Sequence, residues 1–327
     1  MEKFSRRRRN VVFAILDKMK KLKVLNITGW GRSGSTILGS ILGGCKNFFF
    51  GGELRNIWKL SLLENRLCGC DVPLKECNFW KEVFSQGFGG IDNVHAKEVV
   101  DKLKISYYSR LAPFKFLPFG EKYFKSHALS LTEVERLFLS IAEVTGCKVI
   151  VDTTKSPLWG YLLSFMDNLD IYTIHLIRDP RGIAYSRQKK TVQPDKEKTI
   201  YMEKFNSFDS SLKWNVRNLL SENLWKKNKD NYMMVKYEDF AKKPKMIINT
   251  ILDFMSESNT STPFVSSNEV ELSVNHSAWG NPGRFKTGRI ELKADEEWKN
   301  KLNRLDKLIS TVCTFPLLSK YGYKING

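Results

Sequence analysis

Apolar residues in this chain fall into two patterns that alternate along its length. Short unbroken runs occur at Val24, Leu25 and Ile27, at 48–50, at 147–151, at 171–177 and in the segment YMMVK at 232–236. Continuous rather than alternating hydrophobicity is the mark of strands buried on both faces of a parallel sheet. Between these runs the apolar spacing becomes helical. Ile37, Leu38, Ile41 and Leu42 share one face and end at Gly43-Gly44; Leu158, Tyr161, Leu162 and Phe165 share another, behind a Ser156 cap and Pro157. Further helices are predicted near 181–188, over 207–225 with Phe208, Leu212, Val216, Leu219 and Leu220 inward, and over 246–254. A closing helix follows on Trp298, Leu302, Leu305, Ile309 and Val312. Residues 79–146 lack strand signals and are predicted as a helical insertion, with helices over 94–111 and 131–144, the latter opened by a Thr132/Glu135 capping box. The Ser/Thr/Asn-rich stretch 255–270 is expected to be a flexible linker, and 275–290 has no periodicity. Strand–helix alternation predicts an α/β fold, a mostly parallel sheet flanked by helices. The 327 residues are expected to form a single domain with a basic N-terminal segment at 1–21.

The first strand runs into GWGRSGST, 29–36, and then into the first helix. Strand, Gly-rich loop and helix start together aim backbone N–H groups and a helix N-terminus at one anion. Gly29, Gly34 and Thr36 match the phosphate-binding P-loop spacing, but Ser35 stands where that motif needs lysine. A loop that keeps the cradle and drops the lysine is poorly equipped for triphosphate hydrolysis. It offers Arg32 instead, a permanent cation with a planar fork of donors. The resulting architecture is P-loop-type, with ligands expected at the carboxyl edge of the sheet.

Two other strand ends carry chemistry. Glu53 follows the run 48–50 and Gly51-Gly52 directly. It is placed either to accept a proton from a hydroxyl or, as the residues alone favour, to complement the dipole of a following turn. In VDTTKSP, 151–157, Lys155 sits just before a helix N-terminus, where a cation is unfavourable unless an anion is present. His175, inside a buried strand, reads as a core histidine, and Asp179 with Arg181 as a turn pair.

Composition narrows the partners. An excess of 53 Lys+Arg over 35 Asp+Glu, net +18, favours a polyanionic partner: nucleic acid, an anionic membrane or a highly charged small molecule. No motif of a nucleic-acid-binding module is found, and nucleic acid is not an expected partner. No run of eighteen apolar residues exists, and the start, with its basic cluster and brief apolar patch at 11–16, suggests at most weak membrane-surface contact. The expected location is cytoplasmic. The pattern sets no oligomeric state. Of six cysteines, Cys68, Cys70 and Cys77 cluster in RLCGCDVPLKECNFW. Three thiols could hold zinc, but C-x-C with one distant cysteine lacks both the paired C-x₂-C form and a fourth ligand, and reduced thiols packing a loop is the plainer reading.

GRSGST after a strand resembles the phosphosulfate-binding loop of sulfotransferases, particularly the tyrosylprotein and carbohydrate branches. A second block, strand-R-D-P-R-x-x-x-x-S-R at 178–187, is similar to the same family, as are VDTTKSP and the late GNPGRF. The resemblance covers 22–50 and 147–254 well, the late loop less, and the insertion hardly at all. It implies 3′-phosphoadenosine 5′-phosphosulfate (PAPS) as donor and a hydroxyl-bearing acceptor, with no metal. It implies Glu53 as the base, with Arg32 and Lys155 stabilising the leaving phosphate. Gly31, Arg32, Ser33, Gly34, Ser35 and Thr36 would cradle the phosphosulfate, and Arg178 and Ser186 would hold the 3′-phosphate. Arg284 and Lys286 would come from the late closing loop. Departures from the animal enzymes, above all the Cys-bearing insertion, favour a glycan, glycolipid or small acceptor over peptide tyrosine, with the insertion as a possible acceptor-binding region. The alternatives are a P-loop kinase or NTPase, for which Asp152 could bind a metal, and a basic nucleic-acid-binding protein.

Overall fold

A computed structural model describes residues 21–105, 120–194, 200–226 and 228–325. The basic segment before residue 21 and most of the Pro-broken aromatic stretch at 111–124 lie outside the described residues.

Five strands form the central sheet: β1 (Leu22–Gly29), β2 (Phe48–Gly52), β3 (Val149–Lys155), β4 (Leu169–Ile177) and, later in the chain, Tyr232–Lys236. Their order is β2-β3-β1-β4 followed by Tyr232–Lys236, and every neighbouring pair is parallel. Parallel neighbours require crossover connections, and helices supply them. Val24, Leu25 and Ile27 are fully buried, as continuous apolar runs in a doubly covered sheet require. One core lies under β1, the insertion and the helix after β3; a second lies under β1, the first helix and the helical stretch 237–255; a third, smaller one joins Ile177 and Ile183 to Trp214, Leu317 and Tyr321. The α/β fold with a parallel sheet is the one read from the pattern.

Helix α1 (Ser35–Gly43) follows β1. The insertion is helical, comprising α2 (Asn78–Phe88), α3 (Ala96–Ile105), α4 (Gly120–Leu129) and α5 (Thr132–Thr145) among the described residues. Its capping box does not form: no side chain caps α5, and Glu135 Oε1 instead accepts from the Asn168 backbone N–H (2.8 Å). After β3 comes α6 (Pro157–Leu163), and after β4 comes α7 (Pro180–Gln188), capped by Asp179, which also pairs with Arg181 (2.7 Å). The two-residue strands β5 (Val192–Gln193) and β6 (Ile200–Tyr201) then precede α8 (Ser207–Trp225) and the edge strand β7 (Tyr232–Lys236). Helices α9 (Tyr237–Lys242) and α10 (Pro244–Phe254) follow.

Two expectations fail here for tertiary reasons. Within 255–270 the chain enters β8 (Glu269–Leu272), which pairs antiparallel with β9 (Gly288–Glu291), so its end is not a linker. The closing helix is two, α11 (Trp298–Lys301) and α12 (Arg304–Lys320), separated by an Asn303 cap on Asp306 N–H. α8 and α12 pack on each other, with Asn215 Nδ2 donating to Cys313 O (2.7 Å), while Asn218 and Ser221 of α8 meet His175 of β4 and Thr28 of β1; Phe208, Leu212, Leu305 and Val312, expected to face inward, are exposed. Ser211, Ser221 and Thr314 donate to carbonyls four residues back, which satisfies their hydroxyls inside the helix and lets a polar face be buried.

Candidate active site

The loop between β1 and α1 lies at the carboxyl edge of the sheet, between the ends of β3 and β4. Arg32 (φ 72) and Gly34 (φ 83) both adopt left-handed backbone. A Cβ at Gly34 would also meet the Tyr237 ring at 2.6 Å, so glycine is needed there twice over. Arg32 has no such freedom and holds its conformation under strain, as Lys155 (φ 64) does at the end of β3. Gly34 caps α1 without a side-chain hydrogen bond, and no acidic residue occupies the first turn. The positive end of α1 is thus left for a ligand.

Around this loop lies a cleft of about 720 Å³. Of the residues expected at the site, Gly31, Arg32, Gly34, Ser35, Thr36, Glu53, Lys155, Ser186 and Lys286 line it together. Three do not. Ser33 is buried and donates to Trp30 O (2.7 Å), fixing the turn. Arg178 lies behind the loop, donating to Arg32 O (2.9 Å) and pairing with Asp295 (3.0 Å) over the Tyr237 ring. Arg284 turns inward, fully buried, and donates to Ser277 O (2.9 Å) and Leu67 O (2.6 Å). Its place is therefore in the support of the late loop, because the two carbonyls it satisfies lie away from the cleft.

Glu53 and Lys155 form an ion pair across the ends of β2 and β3, each side chain less than one-fifth exposed. Glu53 also accepts from Asn56 Nδ2 (2.8 Å), and Lys155 donates to Thr153 O (2.9 Å). The 3₁₀ segment after Glu53, Leu54–Asn56, runs directly into a helical stretch, Ile57–Leu63, so Glu53 stands at a helix N-terminus as well as in the ion pair. Asp152 is fully buried and accepts from Thr154 N–H (2.8 Å) and Oγ1 (2.5 Å) and from Trp159 Nε1 (2.6 Å). Burial pushes its carboxyl up to about 6. Oδ1 is engaged within the β3 end and Oδ2 ties that end to α6, so Asp152 does not face the cleft as a metal-binding aspartate would. His175 is a core histidine, with Nδ1 on Tyr232 Oη (2.8 Å) and Nε2 on Asn218 Oδ1 (2.8 Å). His276 points at Cys77 and Cys68 rather than into the cleft.

Arg187 is a site residue that sequence reasoning did not assign. It lines the cleft with its guanidinium over Trp30 (4.6 Å) and Phe205 (5.0 Å), and burial pulls it down to about 10, Arg32 adding to the effect. Burial, then repulsion from Arg178, lowers Arg32 as well. The Nε atoms of Arg32 and Arg187 have no hydrogen-bond partner, and neither residue forms an ion pair among the described residues. Arg187 is the last letter of the S-R pair closing the second motif block, and that position was its signal.

The family model described as "Sulfotransferase domain" matches residues 22–304, most of the chain, and the chain belongs to that family. Among solved structures it is similar to the sulfotransferase domain from the Synechococcus PCC 7002 olefin synthase, with 16% identity and a TM-score of 0.46 over 94% of this chain and 97% of that one. A sulfotransferase domain from the curacin biosynthetic pathway gives 14% identity and 0.46 over 92% and 98%. A sulfotransferase from Alicyclobacillus acidocaldarius gives 11% and 0.38 over 92% and 96%. No curated protein matches the sequence.

Proposed function

We propose that the chain transfers the sulfuryl group of PAPS to a hydroxyl acceptor. The observation that carries this reading is the pair of cleft-facing cations Arg32 and Arg187. They stand half-buried and unpaired, with orphan Nε atoms, beside an uncapped helix N-terminus. Unpaired buried cations are costly unless an anion completes them. Two arginines and a backbone cradle suit a ligand with several phosphate charges, and the absence of a P-loop lysine at Ser35 disfavours a triphosphate.

In this reading Gly34, Ser35 and Thr36 receive the phosphosulfate at the start of α1, and Arg32 and Arg187 flank it. Ser186 and Lys286 hold the 3′-phosphate, with Arg178 positioning Arg32 through its carbonyl. Glu53 accepts the acceptor's proton as the hydroxyl oxygen forms its bond to sulfur and the sulfur–phosphate oxygen bond breaks. Lys155, which pairs with Glu53 in the cleft, stabilises the negative charge that develops on the leaving phosphate. The acceptor is a hydroxyl of a glycan, glycolipid or small molecule in preference to peptide tyrosine, on the strength of the insertion that sets this chain apart from the tyrosylprotein enzymes.

Thermal denaturation with adenosine 3′,5′-bisphosphate, ATP–Mg²⁺, GTP–Mg²⁺ and duplex DNA, each alone, tests the donor. The bisphosphate at a hundred times its Kd should stabilise by about 2.7 kcal/mol. A shift with ATP–Mg²⁺ and none with the bisphosphate overturns the reading in favour of a kinase or NTPase, and a shift with DNA alone favours a nucleic-acid-binding protein. Transfer of label from PAPS into an acceptor mixture, with products identified by mass, then assigns the acceptor.

A further inference from the structure

The cysteine cluster that the reaction leaves unused gains a fourth member in the fold. Cys68, Cys70 and Cys77 converge with His276, almost two hundred residues later in the chain, and their four candidate ligand atoms all lie within 4.8 Å of one another. Cys70 Sγ is 3.6 Å from Cys77 Sγ, and His276 Nδ1 is 3.4 Å from Cys77 Sγ and 3.8 Å from Cys68 Sγ. A tetrahedral zinc ion with bonds of about 2.3 Å to sulfur and 2.0 Å to nitrogen spaces its ligands about 3.8 Å (S to S) and 3.5 Å (S to N) apart. Three of the six pairs are within about 0.3 Å of that spacing, and none exceeds 4.8 Å. We propose that Cys68, Cys70, Cys77 and His276 form a structural Cys₃His zinc site that fastens the cysteine loop to the loop lining the cleft.

The surroundings are built for it. The cysteine loop is a tight turn, with Cys68 N–H on Val72 O (2.7 Å) and Asp71 N–H on Cys68 O (3.0 Å), and Cys77 caps α2. Gly69, between two of the cysteines, donates to Ser277 O (3.0 Å), and a Cβ there would lie 2.2 Å from Asn275 Oδ1 and 2.7 Å from Asn275 O. Only glycine lets the cysteine loop approach the His276 segment this closely. The His276 ring stacks on Phe79 (centroids 4.8 Å apart, planes 18° apart), which fixes its direction. Three thiolates and a neutral imidazole around Zn²⁺ leave one negative charge. Fully buried Arg284, which has no carboxylate partner among the described residues, lies beside them on Leu67 O and Ser277 O and supplies the counter-charge. A site with four protein ligands and no open position is structural rather than catalytic. It acts on the cleft through the backbone: Ala278 N–H bonds Gly51 O (3.0 Å), and Glu53 N–H bonds Trp279 O (2.8 Å). The reading of the three cysteines as free thiols rested on the missing C-x₂-C form and fourth ligand, and the fourth ligand comes only from the folded chain.

The test uses the full chain, expressed with zinc and purified reduced without chelator. Elemental analysis should find about one zinc per chain. Replacement by Co²⁺ should give thiolate-to-cobalt charge-transfer bands and the intense visible absorption of tetrahedral cobalt. Cys77→Ser and His276→Ala should lose the metal. Since either variant could also fail to fold, the cobalt spectrum of the unaltered protein decides independently. Zinc below about a tenth of an equivalent, a weak octahedral cobalt spectrum, or a Cys70–Cys77 disulfide in non-reducing mass spectrometry overturns the proposal.

Discussion

Replacing Glu53 by glutamine separates proton transfer from every other role of this side chain. Its two oxygens have different partners: Oε1 holds Lys155 and Oε2 accepts from Asn56 Nδ2 at 2.8 Å. The amide keeps one oxygen for Lys155 but sets an NH₂ against the Asn56 amide, which must flip to accept. It also leaves Lys155 without its counter-charge. With both side chains less than one-fifth exposed, the loss of stability is expected at about 1–3 kcal/mol, below the 3–5 kcal/mol of a fully buried pair. As the base, Glu53 contributes about 10²–10⁴ in rate, or about 2.7–5.5 kcal/mol of transition-state stabilisation. Single-turnover transfer from PAPS should therefore fall by that factor. Binding of adenosine 3′,5′-bisphosphate should hold or tighten, because Lys155 is released. If Glu53 merely positions Lys155, bisphosphate affinity and rate should fall together. Retention of more than about a tenth of the rate refutes the assignment as base.

Arg187→Ala should weaken bisphosphate binding by about 1.5–3 kcal/mol in calorimetry while leaving the thermal midpoint unchanged or raised, since an unpaired buried cation is removed. Arg178→Ala should lower both affinity and midpoint, because Arg178 ties Arg32 and Asp295 together; loss of affinity without loss of stability would refute that positioning role. His175 is held down to about 4 by burial, so the unfolded chain binds the extra proton and folding stability is lost as pH falls from 6.5 to about 4. At about 1.4 kcal/mol for each pH unit the limit is about 3 kcal/mol, and His175→Gln should remove that loss in denaturant titrations at pH 7 and 4. Asp152 has the opposite sign: its raised pKa stabilises the fold as pH falls from about 6 towards 3.8, and Asp152→Asn should abolish that gain.

What the sequence determined by itself was whatever is local. The run before Gly29, the glycine spacing and the apolar face of α1 specify strand, loop and helix within some twenty residues, and their joint position at the sheet edge follows from chain direction alone. Asp179 pairing with Arg181, and His175 in the core, were legible for the same reason. Contacts between distant segments were decided by the tertiary structure. GNPGRF names a loop, but whether Arg284 faces the cleft or the carbonyl of Leu67 depends on a segment more than two hundred residues away. α8 buries Asn218 and Ser221 and exposes Phe208 and Leu212 because its inner face meets His175 of β4 and Thr28 of β1, a choice that the periodicity of one helix cannot reveal. His276 is silent in sequence and becomes the fourth partner of three thiols only when the cysteine loop packs on it through Gly69. Spacing along the chain encodes backbone geometry and the faces of single elements; the direction of a buried polar side chain is fixed by whichever distant group satisfies it.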